Sequence, residues 1–402
     1  MWVRIARRVF VGLALTAMLA GCAIASLRNA TTNASLAAEA TISGIPGART
    51  WGDLVPTNLV SEVRRLAPNL PRLAQSSEQV NGRPVVEILA LSGGGGDGAF
   101  GAGLLKGWSA RGNRPHFEVV TGVSAGAIIA PFAFLGPRYD PQLEEIWTQY
   151  QTSQIVISQI VPGILGGASL ADASPLVKLI ENYVTTRFLR EIAAEYKKGR
   201  MLLVLTTNLD AQRPVVWNMG EIAASRDPGA PDLFRKVIMA SAAIPGALPP
   251  VQIPVMAGGQ SYDEMHVDGG TTREVFVSPV QATFAELDRL YPTAPYRRIY
   301  IIKNGKIEPE YEVVQAQTIS IASRAIYTLI KAQNHGEIYR IYRRARDGGA
   351  DFNFVAVPAS FNSKANEFFD PVHQRKLFDE GYKMGRAGVP WAKTPPETRR
   401  RG

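Results

Sequence analysis

Gly122-Val123-Ser124-Ala125-Gly126 constrains the fold more than any other stretch of the chain. Before it, Phe117 to Thr121 reads as a short strand; after it, Ala125 to Leu135 is an apolar run of helical length. A chain that passes from strand to helix through one polar residue must turn sharply there. Small residues two before and two after that residue let the two backbones approach closely. The hydroxyl of Ser124 is then presented at the edge of a sheet, beside the unpaired N–H groups that open a helix. Taken alone, in a chain with 37 glycines, the pattern serves equally well as a structural turn.

The alternation continues on both sides. Val85 to Leu91, Met201 to Thr206, Arg298 to Lys303 and Asp351 to Val357 read as strands, and Leu233 to Ala243 as a helix. This order predicts an α/β fold, a three-layer α/β/α arrangement with a largely parallel central sheet. With 402 residues, 46% of them hydrophobic, the chain can bury a large core. We expect one domain over residues 49–390, its motif-bearing core at 85–280, with no internal repeat. Trp51 to Leu73 is an amphipathic stretch containing prolines. Ile155 to Leu170 is apolar with interspersed Pro and Gly, and suits a lid, an acyl-chain groove or buried core. Val313 to Arg346 is helical in character with an expected break at Asn334-His335-Gly336. Arg340, Arg343, Arg344 and Arg346 near its end form one basic surface, read as a solvated face or a membrane-facing patch.

The N-terminus suggests a compartment. Arg4, Arg7 and Arg8 precede an apolar run from Val9 to Ala20, the order of a secretory leader and too short for a comfortable span. It ends Leu19-Ala20-Gly21-Cys22, which resembles the lipobox of bacterial lipoproteins. The resemblance implies a signal peptide over 1–21, lipidation of Cys22 and anchorage to a membrane of the bacterial cell envelope. Ala23 after the cysteine favours the outer membrane where the organism has one. Cys22 is the only cysteine, so its alternative role is an incidental thiol. Residues 22–48, rich in Ala, Ser, Thr and Asn, read as a tether. Of the formal charge of +9, the leader and the basic tail at 391–402 carry most. The near-neutral body argues against a nucleic-acid partner, and the tail is either a frayed end or a contact for an anionic surface.

Two further elements carry chemistry. Ser92-Gly93-Gly94-Gly95-Gly96-Asp97-Gly98 lies between a strand and an expected helix, and its glycines expose backbone N–H groups that can cradle an oxyanion. No Gly-Lys-Ser/Thr follows, so a phosphate loop of the nucleotide-binding type does not fit. His266-Val267-Asp268-Gly269-Gly270 ends a strand-like stretch in an acid followed by two glycines. Asp268 can serve as a base toward Ser124 only if its site raises the carboxylate's pKa. By itself, Asp-Gly-Gly also makes an ordinary turn.

Glycine loop, GxSxG and DGG, in this order, resemble the patatin-like phospholipase family, and Ala240-Ser241-Ala242-Ala243-Ile244-Pro245 with Leu248-Pro249-Pro250-Val251 resembles a further block of it. The likeness runs from about Val85 to Val280. It implies hydrolysis of lipid acyl esters by a Ser124–Asp268 dyad, with oxyanion donors from Gly93, Gly94 and Gly95 and from the Ala125 N–H. It also implies a lipid acyl ester as substrate and no metal or organic cofactor. One departure stands out: Asp97 occupies a place where the family commonly has Arg or Lys, which bears on phospholipid preference.

Two other readings stay open. A Ser–Asp–His triad of the α/β-hydrolase order would use His335 or His373, although both sit in polar stretches expected at the surface. A surface lipoprotein that binds lipid or protein without turnover would retain the scaffold alone. Asp263, Glu264, His266 and Asp268 match no dedicated metal spacing and read as a solvated acidic loop, with His266 in core or rim packing.

Overall fold

A computed structural model of the chain describes residues 30–55, 61, 69, 78–158, 168–169, 171–279, 282–367 and 369–396. The leader, Cys22, most of the Trp51 to Leu73 stretch, most of Ile155 to Leu170 and the end of the basic tail lie outside the described residues. The strands are β1 (Arg49–Trp51), β2 (Gln79–Val80), β3 (Arg83–Leu91), β4 (Val119–Val123), β5 (Ile157–Ser158), β6 (Ala171–Asp172), β7 (Met201–Asn208), β8 (Arg213–Asn218), β9 (Val251–Ala257), β10 (Gln260–Asp268), β11 (Tyr296–Lys303) and β12 (Asp351–Ala356). The helices are α1 (Ala34–Glu39), α2 (Gly98–Arg111), α3 (Ala125–Leu135), α4 (Asp140–Thr148), α5 (Thr152–Ile155), α6 (Ser174–Tyr183), α7 (Thr186–Lys197), α8 (Met219–Ala224), α9 (Ala230–Ala242), α10 (Phe284–Asp288), α11 (Thr318–Asp347) and α12 (Pro371–Ala387).

Five strands run parallel in the order β7-β4-β3-β11-β12. Antiparallel β8 and then β1 extend the sheet beyond β7. Strand periodicity sends alternate side chains to opposite faces. Val86, Ile88 and Ala90 of β3 join Ile299 and Ile301 of β11 against Ile338, Ile341 and Ala345 of α11. Leu89 and Leu91 face the other way, into a larger core with side chains from α2, α3, α9 and α12. A sheet buried on both faces favours near-continuous apolar runs, and β7 is apolar from Met201 to Leu205 and buried throughout its length. The result is the expected three-layer arrangement. On the larger-core side, α2 and α12 lie backbone to backbone: a Cβ on Gly103 would come within 2.0 Å of the Phe378 carbonyl, and one on Gly381 within 2.2 Å of that of Phe100.

Register explains how two distant segments meet. Strand β4 pairs with β7 as far as Val123 opposite Leu205. The next residue of β7, Thr206, is opposite Asp268, the last residue of antiparallel β10. The ends of β4 and β10 therefore abut along β7, with Ser124 directly after one and Asp268 closing the other.

Three expectations need correction. The tether does not extend to Ala48. Ile42, Ile45 and Ala48 are buried in the larger core, and Thr41 pairs with Met256, because two isoleucines among small residues suffice to pin the segment to the body. Helix α11 does not break at Asn334-His335-Gly336 but runs unbroken for 30 residues. Packing of Ile338, Ile341 and Ala345 onto the sheet outweighs the weak local propensity of Asn and Gly. The basic residues at its end are paired: Arg340 with Glu337, Arg343 with Asp347, and Arg344 with the Ala282 carbonyl. The supposed acidic loop is strand β10. Glu264 and His266 are buried, Glu264 bonds Arg49 and His266, and His266 Nδ1 lies 2.9 Å from Thr206 Oγ1. Burial raises the Glu264 pKa, but the His266 and Arg49 bonds outweigh it and bring the carboxyl down to about 2.

Candidate active site

Ser124 is the turn between β4 and α3, and it has φ 54° and ψ −122°, a left-handed conformation rare for a residue with a side chain. What holds it there is contact at its flanks. A Cβ on Gly122 would lie 2.3 Å from the Gly126 carbonyl, and one on Gly126 would lie 2.3 Å from that of Leu91. Ser241, at the end of α9 and fully buried, accepts a bond from the Ser124 N–H at 3.0 Å and donates to the Leu205 carbonyl at 2.7 Å. Two residues on, the Ala243 carbonyl accepts from the Asp268 N–H at 2.9 Å. The block from Ala240 to Pro245 thus ties the serine and the acid to one point of the sheet.

Asp268 is buried. Its Oδ1 accepts from the Gly270 N–H at 2.7 Å, and its Oδ2 has no hydrogen-bond partner among the described residues. Burial pushes the carboxyl up to about 7, with the nearby Glu274 carboxylate adding to the rise; the Ser124 hydroxyl and the Gly270 N–H oppose it. Ser124 is near enough to exert that influence without standing in hydrogen-bond geometry to Oδ2. The environment supplies the raised basicity that a carboxylate base requires.

The glycine loop follows β3 and opens α2. Gly93, Gly94, Gly95, Ser124 and Asp268 line one cleft of about 730 Å³ with Ile244, Lys303, Tyr327 and His335. The loop glycines are not equivalent. Gly93 donates its N–H to the Glu274 carbonyl at 3.2 Å, so that donor is already engaged, contrary to its expected role. The N–H groups of Gly94, Gly95 and Ala125 have no acceptor among the described residues. Ala125 is the first residue of α3, where helix geometry leaves the N–H unpaired.

Several residues of the site carried no assigned role at the sequence level. Asn304, just past β11, grips the glycine loop from both ends. Its N–H donates to Ser92 Oγ at 2.9 Å, its Nδ2 to the Ser92 carbonyl at 2.8 Å, and its Oδ1 accepts from the Gly101 N–H at 3.1 Å. Lys303 and Glu274, both buried, form an ion pair on the cleft wall. Burial raises the Glu274 pKa and the Lys303 ammonium opposes the rise. A polar pair at a strand end, Lys303 closing β11 and Asn304 following it, was the available signal for both. Ser241 lay within a recognised block.

The histidines stand elsewhere. His335 lies in the middle of α11 and lines the cleft, but its Nε2 faces the Ile307 carbonyl at 3.3 Å. His373 is buried, not superficial: Nε2 lies 3.1 Å from Asp97 Oδ1 and Nδ1 lies 3.1 Å from Ser363 Oγ. Neither bonds Ser124 or Asp268. The unusual Asp97 is thus accounted for locally, since it pairs with His373 from α12. Among the described residues no group of three or more His, Cys, Asp or Glu side chains gathers as a metal site would.

Residues 89–280 match the family described as patatin-like phospholipase. The chain carries a patatin-like phospholipase domain. The matched span begins within β3 and includes the glycine loop, the serine turn, the Ala240 block and Asp268. Beyond the patatin-like span, β11, α11, β12 and α12 complete the sheet and the cleft wall. No curated protein sequence matches the chain. Among solved structures, the crystal structure of VipD from Legionella pneumophila is similar at a TM-score of 0.35 and 11% identity, over 75% of this chain. This chain covers 66% of the length of that one.

Proposed function

We propose that the chain hydrolyses carboxylic esters of lipids, as a phospholipase A or lipid esterase, with Ser124 as nucleophile and Asp268 as its base. The observation that carries the reading is the abutment of the strained Ser124 turn and a buried carboxylate whose Oδ2 has no other partner. Asp268 takes the proton of Ser124 as Oγ attacks the ester carbonyl carbon. The carbonyl oxygen becomes an oxyanion facing the Gly94, Gly95 and Ala125 N–H groups, a set of fixed donors whose individual loss typically costs about 3 to 4 kcal/mol of transition-state stabilisation. Collapse of the intermediate breaks the ester C–O bond, and the proton on Asp268 passes to the departing alcohol or lysolipid. Asp268 then deprotonates a water, which attacks the acyl-enzyme, frees the fatty acid and returns Ser124.

The test is labelling by a fluorophosphonate serine probe, with chromogenic ester hydrolysis alongside. Wild type should label and turn over, and Ser124→Ala and Asp268→Asn should lose both while remaining folded. A folded wild type that neither labels nor hydrolyses any ester would sink the enzymatic reading and leave a lipid- or protein-binding lipoprotein. Leu19-Ala20-Gly21-Cys22 further supports a lipid-anchored place in the bacterial cell envelope, in the outer membrane where there is one. Incorporation of labelled palmitate, abolished by Cys22→Ala, is the expected result. No helix among the described residues is long and apolar enough to cross a membrane.

A further inference from the structure

Over its first half, helix α11 has its amphipathic pattern inverted. Arg324, Tyr327, Thr328, Lys331 and His335 recur at intervals of three or four residues and line the cleft. The outward face carries Ile321, Ala322, Ala325 and Leu329, all exposed, Ile321 at 54% and Leu329 at 69%. Ala322, Ala325 and Leu329 are in line with Arg340, Arg343 and Asp347, each about five turns further along the helix. The same face is therefore charged in the second half and apolar in the first. Among the described side chains from Thr318 to Gln333 none is buried, and the first buried one is Asn334. The cations of this half are turned to the cleft side. Arg324 bonds Glu312 at 3.0 Å and the Glu310 carbonyl, and Lys331 bonds Glu310 at 3.0 Å. These bonds tie the preceding loop to the helix, and the loop adds two more exposed apolar residues, Tyr311 and Val313. A contiguous exposed apolar patch beside a cleft marks a contact surface.

The end of the sheet at which this patch stands follows from register. Gln333 donates to the Thr272 carbonyl, and Ile330 Cγ2 lies 3.9 Å from where a Cβ on Gly270 would be, so residues 330–333 are level with the strand ends that carry the site. The helix from Thr318 to Ile330, about 18 Å long, runs beyond them. The N-terminal segment arrives at the same end. Strand β10 is antiparallel to β7 and places His266 opposite Asn208, the last residue of β7, so Gln260 to Met265 continue past the end of β7. There the Asp263 N–H donates to the Ala30 carbonyl at 3.1 Å. Cys22, the residue proposed above to carry lipid, is eight positions before Ala30, a reach of at most about 28 Å. An anchor at Cys22 would thus hold the body close to a bilayer by the end that bears both the cleft and the apolar stripe.

We propose that the first half of α11, with Tyr311 and Val313, is the surface by which the protein rests on a lipid bilayer, the cleft opening toward the lipid. The choice of lipid as occupant rests on the hydrolase reading and on the anchor at Cys22 proposed above. Ile321 and Leu329 enter the boundary between headgroups and acyl chains, as the apolar face of an interfacial helix does. Arg324 and Lys331, beside them on the cleft side, stand at headgroup level. A second copy of the chain is the weaker candidate, because these six apolar residues fall well short of the roughly 20 to 30 residues a side that a stable dimer uses.

The experiment uses residues 23–402 carrying Ser124→Ala, which keeps every described residue while neither an acyl anchor nor turnover contributes. The protein should float with phosphatidylcholine vesicles that contain phosphatidylglycerol. Ile321→Asp and Leu329→Asp should each lower the partition coefficient about tenfold, with the melting temperature unchanged because both side chains are exposed. This chain has no cysteine of its own, so a bimane label attached through Leu329→Cys reports on one position. Its emission should shift to the blue on vesicles, and a label attached through Arg343→Cys, on the charged half of the same face, should not shift. Absence of flotation, or flotation that both aspartate variants retain, overturns the proposal, as does a shift at position 343 alone. A dimer that Leu329→Asp dissolves, seen by light scattering without vesicles, would overturn it in favour of a second copy. Fluorophosphonate labelling of the form that retains Ser124 separates the two readings: labelling without flotation keeps the hydrolase and removes the surface, and flotation without labelling does the reverse.

Discussion

Asp268→Asn should abolish turnover and, at alkaline pH, make the protein more stable. The carboxyl of Asp268 ionises near 7 in the fold, against 3.8 for the exposed group, chiefly because burial penalises the charge. In the unfolded chain the same carboxylate is hydrated. A folded-state pKa raised above the unfolded one means that the native state binds the proton more tightly, so stability falls as pH rises from about 4 to about 7 and is level outside that window. The difference of about 3 pKa units corresponds to about 4 kcal/mol at pH 8, an upper figure for the penalty that wild type carries and asparagine does not. The amide keeps an oxygen for the Gly270 N–H, and its nitrogen replaces an oxygen that already has no partner, so the hydrogen-bond balance changes little. Thermal melts of both proteins at pH 5 and pH 8, at one ionic strength, should show Asp268→Asn above wild type by several degrees at pH 8, with the gap shrinking toward pH 5. A gap independent of pH, or a variant less stable than wild type at pH 8, would refute the claim that the site holds a destabilised charge for the sake of its basicity.

The same carboxyl should set the acid limb of the rate profile. kcat/KM should fall about tenfold per pH unit below a midpoint near 7, and Glu274→Gln should move that midpoint to lower pH by removing the carboxylate that raises the Asp268 pKa. Asn304→Ala deletes two side-chain bonds that fix the glycine loop, each contributing about 1 kcal/mol. A kcat loss of about tenfold to a hundredfold with a folded protein is expected by steady-state kinetics and melting. His335→Ala and His373→Ala should each keep acyl-enzyme formation with the fluorophosphonate probe within about tenfold of wild type, whereas a true triad histidine would cost several orders of magnitude.

What could be read from sequence, and what could not, follows from how each residue reaches the site. The serine turn is a local object: strand, small residue, serine, small residue, helix, with the crowding at Gly122 and Gly126 visible as a spacing before any coordinates exist. Asp268 announced itself through its two glycines, of which Gly270 does supply the N–H that holds Oδ1. The glycine loop was legible as a loop, but the engagement of the Gly93 N–H by the Glu274 carbonyl was not, because that contact spans 181 positions of sequence and depends on where the chain returns after Asp268. The pairing of Asp97 with His373, 276 residues away, is hidden for the same reason. Strand order is the missing term. In a parallel sheet the residues just past the carboxyl ends of neighbouring strands converge, and sites form there. Strands β4, β3 and β11 are consecutive neighbours, and the residues immediately after them are Ser124, Ser92 and Asn304. All three belong to one cleft wall: Asn304 bonds Ser92, Ser92 precedes the glycine loop, and a Cβ on Gly93 would touch the Cβ of Ser124 at 3.1 Å. Each strand end was recognisable by itself, and only the parallel register of β3 with β4 and β11 turns three separate ends into one site.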